Sequence, residues 1–292
     1  MDMTAELTKR TEQIENIIKK YLPEEEGYQK QVIEAMNYSF LAGGKRLRPM
    51  LMLETYRMFG GKSEVIEPFM AAIEMIHTYS LIHDDLPAMD DDTLRRGKPT
   101  CHVQFDEATA ILAGDALLTQ AFLLGAMASE DALVNCAIVK ALSRYAGADG
   151  MVLGQIKDLE GEVKEDLTLA ELKDIHYYKT GRLLTLPLVC AAYLTHHEED
   201  IPAWEQIGSD LGLSFQIQDD ILDVTSTVEE LGKNINSDAQ NNKRTYVSLL
   251  GIEEAQKEAS FYYERAQQRL HELFDDAHAL DAIFVALTKR KN

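Results

Sequence analysis

A chain of 292 residues that is 46% hydrophobic and 27% charged is long enough to bury a large core and too apolar to remain disordered. Its 29 Lys and Arg against 49 Asp and Glu leave a net charge of -20, which repels phosphate backbones and sets nucleic acid aside as a partner. The three cysteines, Cys101, Cys136 and Cys190, are odd in number and lack CxxC spacing, so neither a disulfide framework nor a zinc site is suggested and a reducing cytoplasm fits.

The first thirty residues mix charged and aliphatic side chains, and nowhere do about 18 apolar residues run uninterrupted. Neither a signal peptide nor a membrane-inserted helix is expected. Apolar residues then recur at helical spacing. One such run goes from Ile66 through Met70, Ile73 and Ile76 to Leu81, and another from Ile207 through Leu211 to Phe215. Between them, Ala108 to Ala128 is apolar on more than one face, which predicts a helix buried in the middle of a bundle. Breaks fall at Pro23, Gly43-Gly44, Gly60-Gly61, Gly97 to Pro99, Gly147 to Gly150, Glu160 to Asp166 and Gly232 to Asn242, leaving room for roughly ten helices. No linker composition divides the chain, so one all-α domain over residues 1–292 is expected.

Two bursts of carboxylates stand out. His83-Asp84-Asp85-Leu86-Pro87-Ala88-Met89-Asp90-Asp91-Asp92 closes an apolar helix. In Gln216-Ile217-Gln218-Asp219-Asp220-Ile221-Leu222-Asp223, Gln216, Asp219, Asp220 and Asp223 fall at i, i+3, i+4 and i+7 and share one helical face. Unpaired carboxylates so close repel one another and destabilise the helix unless cations neutralise them. Oxygen ligands of this kind suit Mg²⁺, which takes one or two carboxylates plus substrate phosphate oxygens. Either burst alone is equally well a solvated acidic face; two bursts embedded in apolar helices favour metal. Asp85 and Asp90 would splay on an ideal helix, but Pro87 disrupts it. Leu86 to Met89 is therefore expected to loop out and bring Asp90 back; of Asp90, Asp91 and Asp92, Asp90 is the metal candidate.

Basic residues cluster against the acidic background at Gly43-Gly44-Lys45-Arg46-Leu47-Arg48-Pro49, Leu94-Arg95-Arg96-Gly97, Lys179-Thr180-Gly181-Arg182, Gly232-Lys233 and Lys243-Arg244. Arginine forks and lysine point charges suit phosphate oxygens. Taken singly, each cluster is a solvated surface; beside two acidic motifs they point to a diphosphate.

These motifs in this order, from about residue 40 to about residue 250, make the chain resemble the trans-isoprenyl diphosphate synthases. The resemblance implies an all-α bundle of ten or more helices around a deep central cavity, the isoprenoid synthase fold, usually a homodimer. It implies a prenyltransferase that joins isopentenyl diphosphate to an allylic diphosphate, with Mg²⁺, three ions per site, as cofactor. Lys45, Arg48, His77 and Arg96 would hold the isopentenyl diphosphate. Arg95, Lys179, Thr180, Gln216, Lys233 and Lys243 would contact the allylic diphosphate or the cation it leaves. Asp84, Asp85, Asp90 and Asp219 would hold metal, assisted by Asp220 and Asp223, and Gln155 and Asp158 match a facing-wall Gln-x-x-Asp. Arg46 receives no role.

Within that resemblance, Tyr79 and Ser80 lie about one turn before Asp84, where a growing chain would point, and a bulky Tyr79 with two extra residues in the first motif implies a product of fifteen carbons. A twenty-carbon product is the alternative. An HD-type metal phosphohydrolase reading of His83-Asp84 leaves the second aspartate motif without purpose, a terpene cyclase usually carries an Asn/Ser/Glu motif in that place, and a non-catalytic partner subunit would be expected to have lost one of the two. His102, His176, His196 and His197 make no metal spacing and are expected in structural roles.

Overall fold

A computed structural model describes residues 3–225 and 244–288. They are overwhelmingly helical, and the only sheet among them is a two-residue hairpin, Leu94–Arg95 with Lys98–Pro99, as the all-α reading expects. The described residues group into two compact units. The first comprises the chain up to Leu53 together with Lys62–Lys140, and the second Glu54–Gly61 together with the chain from Ala141 onward.

The first unit is organised on α4 (Glu67–Asp84), with α1 (Met3–Ile18), α2 (Lys30–Phe40) and α6 (Glu107–Met127) packed against it. Pro68 in its first turn presets the helical φ where no intrahelical donor is needed. From there Phe69, Met70, Ile73, Met75, Ile76, Tyr79 and Ile82 are all buried, which identifies α4 as a core helix with apolar neighbours on several sides. On α6, capped by Asp106, whose carboxylate accepts from Thr109 N–H at 2.8 Å, the buried residues are mostly small and regularly spaced: Ala110, Ala113, Gly114, Leu117, Ala121 and Gly125. They let α6 approach α4 closely, and a Cβ at Gly114 would stand 2.1 Å from His83 Nε2.

The expectation of a fully buried Ala108 to Ala128 is corrected here. Ile111, Leu112, Leu123 and Met127 are exposed on the other side of α6, because a stripe of Ala and Gly already satisfies the single contact face. Two stretches, Glu64–Asp84 and Glu107–Met127, are long and apolar enough to cross a membrane by length and composition, although each is interrupted by acidic residues. The hydropathic window of the first is 72% buried inside the protein, that of the second 33%.

The second unit is built along α11 (Ile201–Thr225), flanked by α10 (Arg182–Leu194) and the helix Ile252–Leu273. Trp204 is fully buried between Phe59 and Phe274. Farther along, Leu213, Ile217 and Ile221 pack with Tyr246, Ala255 and Tyr262. A buried carboxylate, Asp210, ties α11 to the helix beside it through Arg265 and Arg269. Two of the histidines pack against aromatic rings: His176 stacks on Tyr246 and His197 on Phe59. Cys101, Cys136 and Cys190 are free.

Candidate active site

The first carboxylate set sits where a helix is forced to end. α4 stops at Asp84 with Asp85 as its C-cap, and Pro87 can donate no backbone hydrogen bond to continue it. The chain then folds back: Met89 N–H donates to Leu86 O at 2.8 Å and Asp90 N–H to Asp84 O at 2.9 Å. The loop expected at Leu86 to Met89 is thus present, and it returns Asp90 to the backbone of Asp84. Asp90, Asp91 and Asp92 face solvent, whereas Asp85 is buried.

A hairpin brings the counter-charge. Its turn residues Arg96 and Gly97 both have positive φ, 55° and 74°, the geometry of a two-residue type I′ turn. Arg95 Nε donates to Asp85 Oδ1 and Oδ2 at 2.7 and 2.9 Å, and Arg95 Nη2 lies 2.5 Å from Asp85 Oδ1 and 3.5 Å from Asp92 Oδ2. Burial pushes the Asp85 carboxyl up to about 6, against the opposing pull of Arg95. On the far side of the turn, Arg96 Nη1 donates to Gly43 O. Gly44, at φ 128°, has its missing Cβ position 2.7 Å from the Arg96 guanidinium carbon; glycine is required there for its conformation and lets the guanidinium lie against the backbone.

Lys45 is exposed, Arg48 half-buried, and both belong with Arg96 and His77 to the first unit. Burial and then the guanidiniums of Arg48, Arg96, Arg95 and Arg46 hold the His77 imidazole well below its ordinary range, so it is a neutral hydrogen-bonding group at pH 7. Two positions before and one after Thr78 on α4, Ile76 and Tyr79 are buried, and the Tyr79 ring meets His83 edge-on at 5.8 Å. Ser80 Oγ instead caps inward, donating to His77 O at 2.8 Å.

In the second unit the helix between α9 (Leu169–His176) and α10 is a π-turn, Tyr177–Gly181, a rare geometry that concentrates at functional sites. It is clamped from two sides. A Cβ at Gly154 on α8 (Met151–Glu162) would lie 2.1 Å from Lys179 N, and one at Gly212 on α11 would lie 2.5 Å from Gly181 Cα. The turn presents Lys179 Nζ to Asp158 Oδ2 at 2.6 Å and Thr180 Oγ1 to Gln216 Oε1 at 2.6 Å. Asp158, of the Gln155-x-x-Asp158 pair, is therefore a direct partner of Lys179.

Helix α11 runs unbroken through the second aspartate motif, as the spacing predicts. Asp219 is half-buried, Asp220 and Asp223 buried. Asp220 has a task the sequence does not disclose: its Oδ2 accepts from Tyr246 N–H at 2.8 Å, capping the helix Tyr246–Leu250. Lys233 and Lys243 lie outside the described residues. The π-turn, its two glycines, the Asp220 cap and the buried side of the Lys45 loop were not read from sequence; only the glycines left a trace there, and glycine alone does not identify the neighbour it admits.

Among the described residues no three His, Cys, Asp or Glu side chains converge as a ready metal cage. The donor set nonetheless fits Mg²⁺ arriving with a diphosphate, because Mg²⁺ takes few protein carboxylates and fills its remaining positions with phosphate and water. Arg95 on Asp85 shows the place of positive charge at that carboxylate.

Two outcomes test this geometry. In metal-free protein the Asp85 carboxyl should titrate near 6, staying protonated below that pH, as followed by ¹³C NMR; Mg²⁺ with inorganic diphosphate should lower the midpoint, and a metal-free midpoint at the ordinary value of about 3.9 would contradict the burial argument. Gly154→Ala should cost about 1–3 kcal/mol in urea unfolding and speed amide exchange at Lys179 and Thr180, since the opposing atoms are backbone and cannot step aside.

A sequence profile of the polyprenyl synthetase family matches residues 29–282. The chain is 50% identical over 240 residues to a farnesyl diphosphate synthase of Micrococcus luteus, covering 82% of this chain and 81% of that protein. It is 43% identical over 284 residues to a geranylgeranyl diphosphate synthase of Cyanophora paradoxa, covering 96% and 93%. A crystal structure of geranyltransferase from Helicobacter pylori, complexed with magnesium and isoprenyl diphosphate, superposes with a TM-score of 0.85 at 33% identity over 99% of this chain and 97% of that one. With its aspartate-ended helix, its paired cations and a match along most of its length, the chain belongs to the polyprenyl synthetase family.

Proposed function

We propose that this protein is a Mg²⁺-dependent prenyltransferase that condenses isopentenyl diphosphate with dimethylallyl and geranyl diphosphate to farnesyl diphosphate. The observation that carries the reading is the Asp84–Asp85–Asp90 turn with Arg95 seated on its buried carboxylate, a built counter-charge site in a chain 50% identical over 240 residues to a farnesyl diphosphate synthase.

The reaction must stabilise a leaving diphosphate and keep water from an allylic cation. When bound, Mg²⁺, three ions in this reading, would supply Lewis-acid charge at the departing oxygens. Asp84, Asp85, Asp90 and Asp219 would hold it, assisted by Asp223 and by Asp220, whose Oδ2 also accepts from Tyr246 N–H. Arg95 and Lys179 turn from their carboxylate partners to the allylic diphosphate, joined by Lys233 and Lys243. The oxygens of Thr180 and Gln216, already 2.6 Å apart, solvate the cation. Lys45, Arg48 and Arg96 neutralise the isopentenyl diphosphate, and neutral His77 hydrogen-bonds to it.

The family profile crosses both compact units, which supports a single catalytic domain over residues 1–292. The exposed apolar side chains Ile111, Leu112, Leu123 and Met127 on α6 and Leu133 on the next helix support a homodimer that covers them. The free cysteines favour the cytoplasm.

Release of diphosphate from isopentenyl plus geranyl diphosphate tests the reading. Asp84→Ala and Asp219→Ala should each lower kcat by at least about 100-fold with helical circular dichroism retained; near-normal rates in either would remove that carboxylate from the metal site. Chain length rests on Tyr79, buried at 5% exposure. Tyr79→Ala should shift the product from fifteen carbons towards twenty, read by chromatography of the dephosphorylated alcohols. An unchanged product in an active variant would reject Tyr79 as the floor, and a twenty-carbon product from the unmodified protein would favour the geranylgeranyl alternative.

A further inference from the structure

Arg46 stands between Lys45 and Arg48 yet is buried, where Lys45 is exposed and Arg48 half-buried. Its side chain is 1% exposed and pairs with Glu74, whose side chain is 3% exposed, through Nη1 to Oε1 at 2.6 Å. Nη2 donates to Phe40 O at 2.6 Å, Nε to Glu15 Oε1 at 3.2 Å, and the guanidinium lies 5.5 Å from the Phe40 ring centroid. One buried fork thus joins the Lys45 loop to α1, α2 and α4.

The backbone of Arg46 is left-handed, φ 47°, a conformation that costs a non-glycine residue about 1–2 kcal/mol. Glycine would adopt it freely, as Gly43 and Gly44 just upstream do with positive φ of their own. A side chain held in three directions outweighs that strain. The same backbone accepts Met50 N–H at 3.1 Å on Arg46 O, so α3 (Leu47–Met58) begins directly on the anchored residue, and Arg48 leaves the first turn of that helix. Glu74, the other end of the fork, lies one turn before His77 on α4.

Resting on the function proposed above, we propose that Arg46 is a positioning residue for isopentenyl diphosphate: its buried pairing with Glu74 fixes Lys45 and Arg48 against His77 without touching the substrate. The pair sets the first-unit anion site and leaves the Lys179 turn, in the second unit, unaffected. A merely structural role would instead weaken both substrates together, or only lower stability.

Three variants separate these outcomes. Arg46→Lys keeps the charge but cannot keep the fork. Arg46→Gly relieves the left-handed strain and removes the fork. Arg46→Gly with Glu74→Gln removes the fork without stranding a buried carboxylate, and serves if the single variants fail to fold. Steady-state kinetics with each substrate varied, and calorimetric titration with isopentenyl diphosphate alone, are the readouts. Each folded variant should raise KM and Kd for isopentenyl diphosphate about tenfold, the loss of roughly 1.4 kcal/mol, while KM for geranyl diphosphate and kcat at saturation stay within about twofold. Unchanged KM and Kd for isopentenyl diphosphate, or equal rises for both substrates, would overturn the assignment. Unmodified protein that neither binds nor turns over isopentenyl diphosphate would overturn the functional reading, and this inference with it.

Discussion

Charge buried in a helical protein must meet opposite charge or hydrogen bonds, because desolvating an unpaired carboxylate or guanidinium costs several kcal/mol. This constraint organises the functional groups in both units. Asp85 is answered by Arg95, Arg46 by Glu74 and Lys179 by Asp158. In each case the partner comes from a different element, so the ion pair also fixes a loop or turn against a helix. The hairpin is held at the end of α4 by Arg95, the Lys45 loop on the side of α4 by Arg46, and the π-turn on α8 by Lys179.

These pairs are not equivalent. Arg46 and Glu74 are both shut away from water, which makes them a permanent brace. Arg95 is 31% and Lys179 23% exposed along the side chain, so each can leave its carboxylate when a stronger anion arrives. A cation parked on a carboxylate keeps both groups satisfied while partly desolvated and, in the function proposed above, poised for a diphosphate and its metal. Close backbone approach supplies the remaining precision: Gly44 makes room for Arg96, and Gly154 and Gly212 for the π-turn.

Much of this was legible in the residues themselves. Helical periodicity announced α4 and α11, Pro87 announced the loop that returns Asp90, and the i, i+3, i+4, i+7 pattern placed Gln216 through Asp223 on one face. The failures have physical causes. α6 reads as apolar all round because its contact stripe of alanine and glycine is no more hydrophobic than the exposed Ile111 and Leu112 opposite. The π-turn has no local signature in Tyr177-Tyr178-Lys179-Thr180-Gly181; it depends on glycines about 25 and 30 residues away in the chain. Arg46 looks like its basic neighbours, and only the three-dimensional position of Glu74, Glu15 and Phe40 sets it apart. Asp220 likewise matches the motif around it while its carboxylate caps a distant helix.

In the function proposed above, the buried carboxylate of the first motif, Asp85, is satisfied by Arg95 until metal and diphosphate arrive together. The most direct test is Mn²⁺ binding to the unmodified protein, followed by electron paramagnetic resonance with and without inorganic diphosphate. Weak binding of Mn²⁺ alone, tightening at least about tenfold when diphosphate is added, is the predicted result. Binding equally tight without diphosphate would contradict it, since Arg95 on Asp85 would then offer the metal no competition.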